Sequence, residues 1–75
     1  MDYAHSPLSP DEYLRNIFAS KAVQQGGVIR RKARDVERFL GRDKLKAELQ
    51  RRGFRAVENA GQIVIFCNRE PLEAF

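Results

Sequence analysis

The stretch "GRDKLKAELQRRGFRAVENAGQIVIFCN", Gly41 to Asn68, decides how this chain folds. A Lys/Arg-studded segment of helical pattern passes through one glycine, Gly53, into two strand-like runs around a turn. Leu45 and Leu49, four apart, face inward on such a helix. Lys44, Lys46, Ala47, Gln50 and Arg51 then fall on the opposite arc at 100° per residue. Asp43 stands where an N-cap is expected. Glu48 lies at the border of the apolar stripe, within reach of Lys44 and Arg52 four residues to either side. The runs Phe54–Val57 and Ile63–Cys67 flank a turn at Asn59–Gly61 and read as a β-hairpin.

Ile63–Cys67 is apolar on both faces, unlike a half-exposed strand. It therefore wants a strand on either side and cover above and below. Its second neighbour is supplied upstream by the short β-branched run Val28–Arg31, which places Ile63–Cys67 at the centre of a three-stranded antiparallel sheet.

The remaining elements follow from their end signals. "SPDE", Ser9–Glu12, combines a capping serine, a proline at the first helical position and a glutamate three residues on. Leu14, Ile17, Phe18 and Ala22 continue it as an apolar stripe. The spacing predicts a first helix over Pro10–Gln25, ended by Gly26-Gly27. A second, over Ala33–Leu40, turns Val36, Phe39 and Leu40 inward and stops at Gly41. The predicted class is α+β, three helices with a small sheet in the order α-β-α-α-β-β. Residues 1–8 read as a loose tail, 9–68 as the domain and 69–75, ending "REPLEAF", as an extension whose Leu72 and Phe75 pack back or dock a partner. Phe18, Phe39, Phe54 and Phe66 are expected in the core.

Seventy-five residues allow one small domain, which buries about 60% of the surface of its unfolded chain. The formal charge is +4, unevenly placed. Gly26–Arg55 holds eleven basic residues against four acidic, a net +7, and the rest carries a net −3. A field of that kind attracts a polyanion. No apolar run approaches the roughly 20 residues of a membrane span, and "MDYAHSPLSP" lacks the basic-then-apolar order of a secretion signal, so a cytoplasmic location without membrane attachment is expected.

Catalytic readings find little. Cys67 is the single cysteine and His5 the single histidine, so no internal disulfide can form and a thiolate zinc site is not expected. Cys67 reads as a small apolar residue ending a buried strand. The acidic residues are scattered helical partners, and "QQGGVIRR" lacks the Lys-Ser/Thr of a phosphate loop. The expectation is no enzyme, no metal and no cofactor.

The order of elements, and "DVERFLGRDKLKAELQRRGF" with its apolar positions around a mid-turn glycine, resembles the winged helix-turn-helix family over about Pro10–Asn68. The resemblance implies that the helix after Gly41 enters the DNA major groove while the hairpin, or wing, touches flanking backbone. By position the contacting residues would be Arg42, Lys44, Lys46, Ala47, Gln50 and Arg51, with Arg30, Arg31 and Lys32 of the first strand as further candidates. Gln can read adenine, and Arg or Lys can read guanine or hold phosphate. A regulator of transcription of this kind would form a homodimer through the first helix or act as an accessory factor.

The expected function is therefore nucleic-acid binding, to double-stranded DNA. The wing sequence "ENAG" carries Glu58 and no basic residue, which keeps open a protein–protein module with an acidic partner. RNA binding by the same surface is not separable from DNA binding on sequence.

Overall fold

Ser9 caps the first helix as its sequence predicts. Its hydroxyl accepts from the Glu12 N–H at 3.1 Å, and its own N–H donates to the Glu12 carboxylate at 2.9 Å. A computed structural model of the chain describes residues 9–75. The expected tail, residues 1–8 with His5, lies outside the described residues. In chain order the elements are α1 (Pro10–Phe18), α2 (Lys21–Gln25), β1 (Val28–Lys32), α3 (Ala33–Phe39), α4 (Arg42–Arg52), β2 (Arg55–Asn59) and β3 (Gln62–Phe66). The α+β class and the predicted order hold, with the first helix divided in two.

The division falls at Ala19-Ser20, where Ser20 is extended (φ −74°, ψ 159°). On an unbroken helix Val23 would lie about 140° around the axis from Phe18, off the apolar stripe. The break re-aims the next turn, so that Ala22 and Val23 both reach the core that Ile17 and Phe18 already fill. Tyr13, rather than Leu14, is the more deeply buried residue of the first turn, and its ring centroid lies 5.4 Å from that of Phe39.

Gly41 makes the turn between α3 and α4. Its φ of +92° is open to glycine and costly for a residue with a Cβ, and its N–H closes on the Val36 carbonyl at 2.7 Å. The tight turn moves the start of α4 forward, making Gly41 the N-cap, with no side-chain cap bond. Asp43 therefore sits inside the first turn instead of capping it. There its charge complements the positive end of the helix.

The sheet order is β1-β3-β2, both pairings antiparallel, so β3 (Gln62–Phe66) occupies the centre, as expected for the run Ile63–Cys67. Register sets Ile29, Ile65 and Ala56 in one row, and Ile65 is fully buried. Ile17, Val36, Leu45 and Leu49 pack from the helices onto this inner face.

Cover on both faces of β3 does not hold. Val64 and Phe66 point to the opposite face and are only half-buried, beside exposed Val28 and Val57. All four helices gather on the inner face, and no helix or strand among the described residues is left to form a second layer. Phe66 is thus a residue of the outer face, while Phe18 is buried and Phe39 and Phe54 pack against the core.

Candidate nucleic-acid interface

Burial of Leu45 and Leu49 orients α4. Because they take the inner arc, Lys44, Lys46, Ala47, Gln50 and Arg51 are all exposed, with Arg42 exposed at the first turn. Lys46, Ala47, Gln50 and Arg51 lie along the outward arc, with Lys44 at its edge toward α1 and Arg42 turned toward β2.

Three of the four cations among them already hold carboxylates. Arg42 donates from Nε to Glu37 at 2.7 Å, and from Nη1 and Nη2 to both oxygens of Glu58 at 2.7 and 3.1 Å. One guanidinium thus joins the end of α3, the start of α4 and strand β2. Its hydrogen bonds to Glu58 and then Glu37 raise its pKa, and the Glu58 carboxyl is correspondingly held below its ordinary value.

Lys44 reaches Asp11 of α1 at 2.7 Å rather than Glu48, and the contact lowers the Asp11 pKa. Glu48 is instead held by Arg51 and Arg52, which both donate to it. These hydrogen bonds, led by the one from Arg51, depress the Glu48 pKa against the opposing effect of burial. Arg52 also stacks its guanidinium 4.3 Å from the centre of the Phe18 ring. Lys46 has no ion-pair partner among the described residues. The pairs on Arg42, Lys44 and Arg51 are exposed on at least one side, and such pairs are weak in water, so they hold these side chains only loosely.

A shallow groove runs beside this surface, between α4 and β2, floored by Leu45, Leu49, Ala56 and Ile63 with Lys46 at its edge. The hairpin turns at Ala60-Gly61, both at positive φ. Its tip stays against the start of α3, where the Ala33 N–H donates to the Gly61 carbonyl at 2.8 Å. It does not project from the body.

The candidates on β1 divide. Arg30 and Lys32 point to the outer face of the sheet, away from the face on which α4 lies; Arg31 shares the inner side with Ile29 and is half-buried. The structure therefore does not bring these three into the α4 surface. The Arg42–Glu58 and Lys44–Asp11 pairs had no signal in the sequence, since their partners stand 16 and 33 residues apart. Among the described residues no group of three or more His, Cys, Asp or Glu side chains is placed to hold a metal ion, and no helix is long and apolar enough to cross a membrane. Comparison with protein-family models, curated proteins and solved structures returns no match for this chain.

Proposed function

We propose that this chain is a small non-catalytic winged helix that binds nucleic acid, double-stranded DNA in the first place, through α4. The observation that supports it is the outward arc of α4. Lys46, with no ion-pair partner among the described residues, and the amide of Gln50 stand beside Ala47, whose small side chain lets a backbone approach, and Lys44 and Arg51 flank them in exposed, exchangeable ion pairs. Five basic residues against two acidic within Arg42–Arg52 give that helix a positive field. Phosphate neutralisation would supply most of the affinity, and Gln50 or Lys46 any reading of base edges.

Titration of a random duplex at two salt concentrations tests the reading. Affinity should fall by about 0.9 log unit per log unit of salt for each phosphate contacted. Replacing Lys46 and Arg51 together by Glu should abolish binding while the thermal melt stays close to that of the parent. Binding that ignores salt, or that survives the double replacement, would remove α4 as the contact surface.

The hairpin supports a second reading. Its one acidic residue is paired with Arg42, its tip rests on α3 and carries no basic residue, and its one cation, Arg55, stands on the outer face of the sheet, away from α4. A protein-docking module whose α4 face meets an acidic partner fits that feature, and the same titration separates the two.

A further inference from the structure

Away from α4, the outer face of the sheet combines bare apolar and basic side chains. Two-residue alternation sets Val28 beside Phe66 in one row and Val64 beside Val57 in the next, with the two edge valines 45% and 44% exposed. Around them stand Arg30, Lys32 and Arg55, all exposed. Among the described strand residues the other side chains on this face are the amides of Gln62 and Asn59, and none is a carboxylate. None of the three cations has an ion-pair partner among the described residues, in contrast to Arg42, Lys44 and Arg51. Bare apolar side chains framed by unneutralised charge mark an interaction surface.

The occupant has to bring both apolar side chains and carboxylates. Two copies of this face laid against each other would oppose like charges across a drying apolar centre, which disfavours that pairing. A single-stranded nucleic acid would need stacking platforms, and the face offers only Phe66.

The chain itself carries the complementary chemistry. Its last residues, Glu70–Phe75, form no helix or strand. They expose Leu72 (43%) and all of Phe75, and neither Glu70 nor Glu73 has an ion-pair partner among the described residues. The root of the segment is held on the helical side of the sheet, where Arg69 Nε donates to the Arg52 carbonyl at the end of α4. It therefore starts away from its own outer face.

We infer that the outer face of the sheet, with its Val28–Phe66–Val64–Val57 centre and its Arg30 and Arg55 flanks, binds the Glu70–Phe75 segment of a second copy of this chain. Exchange of two such segments is reciprocal and closes a two-fold pair, each copy giving one face and one segment. The apolar side chains of Leu72 and Phe75 cover the valines, and the two glutamates meet the arginines.

The test is sedimentation of the full chain over a range of concentrations, with two charge-reversed forms: Arg30→Glu with Arg55→Glu on the face, and Glu70→Lys with Glu73→Lys on the segment. All four positions are exposed, and circular dichroism melts verify that each form folds. The parent should associate reversibly, and each reversed form should associate at least about tenfold more weakly. Mixed in equal amounts, the two reversed forms should pair with each other, because each then supplies what the other lacks. The Lys46→Glu, Arg51→Glu protein should still associate, which separates this surface from the α4 reading. A parent chain that is monomeric throughout overturns the inference, as does association indifferent to both reversals. So does a segment that docks on its own sheet independently of concentration. A monomeric chain whose labelled oligothymidine binding disappears only in the face variant would assign the surface to single strands and overturn it equally.

Discussion

Arg42 and Glu58, 16 residues apart, meet through two hydrogen bonds of 2.7 and 3.1 Å that tie the first turn of α4 to strand β2. The pair neutralises the cation best placed at the start of the helix. Glu58→Gln keeps the shape and removes the charge, and Glu37 still holds one side of the guanidinium. Because the pair is exposed, the melting temperature should barely move. Duplex affinity should rise, and the salt dependence should steepen by about 0.9 log unit per log unit of salt, one more phosphate contact. An unchanged slope would place Arg42 outside the contact surface.

Four carboxylates are held below their ordinary pKa: Asp11 by Lys44, Glu12 by the Ser9 cap, Glu48 chiefly by Arg51, and Glu58 by Arg42. In the acid range the unfolded chain binds more protons at these sites than the folded one. Their stabilisation is therefore complete above the ordinary values of 3.8 and 4.5 and is lost as pH falls through the lowered ones. Thermal melts should be flat with respect to these groups near neutrality and drop below about pH 4.5, less steeply in high salt for the exposed pairs. A chain whose melting temperature is constant down to about pH 3 would show that these contacts do not persist in solution.

Ile65 and Val57 sit on the two sides of the same small sheet. Ile65 is fully buried at its centre, and Ile65→Ala should cost about 2–5 kcal/mol, a large part of the stability of a chain this size. Val57, 44% exposed on the outer face, should cost under about 1 kcal/mol as Val57→Ala. Urea unfolding of both variants checks the contrast, and similar losses would contradict the placement of the core on one face.

The central position of β3 was legible because a strand apolar on both faces asks for two neighbours, and the chain held only one other β-branched run to supply the second. The same signal misled about cover. Hydrophobicity of Val64 and Phe66 states that they avoid water, not which molecule shields them, and the helices were all committed to Ile63 and Ile65. The outward arc of α4 followed from Leu45 and Leu49 alone. Its charge state did not: the partners of Lys44 and Arg42 come from α1 and β2, and only the tertiary fold sets those distances. The break at Ser20 was hidden because Leu14–Ala22 continues a helical period through it.

Gly41 and Gly53 make separate demands on the backbone. Gly41 has φ +92° and ψ 142°, with open space where a Cβ would go, so Gly41→Ala should cost about 1–3 kcal/mol from conformation alone. Gly53 ends α4 in the left-handed helical region, and an added Cβ would meet the Arg69 side chain at 3.0 Å. Asn enters that region more readily than Ala, so Gly53→Asn should recover part of the loss seen in Gly53→Ala, provided Arg69 moves aside. Gly41→Asn should recover none. Equal behaviour of the two sites in chemical denaturation would argue against the turn described for Gly41.

Cys67 follows the central strand, 3% exposed, with its N–H donating to the Gly27 carbonyl at 2.8 Å. Burial raises the thiol pKa against the smaller opposing pull of Arg52, and the thiolate is the reactive form. A disulfide reagent at mildly alkaline pH should therefore modify the native chain at least about 100-fold more slowly than the chain in guanidinium, at a rate set by opening of the fold. The raised pKa also means that this contribution to stability is complete below the ordinary thiol value of 9.0 and declines as pH rises through the folded one. Cys67→Ser puts a hydroxyl into the same apolar site and should cost about 1–3 kcal/mol, whereas Cys67→Ala keeps the site apolar and should cost less. A native thiol that reacts as fast as the unfolded one would mean that the end of β3 is open, and with it the anchor of the segment that follows.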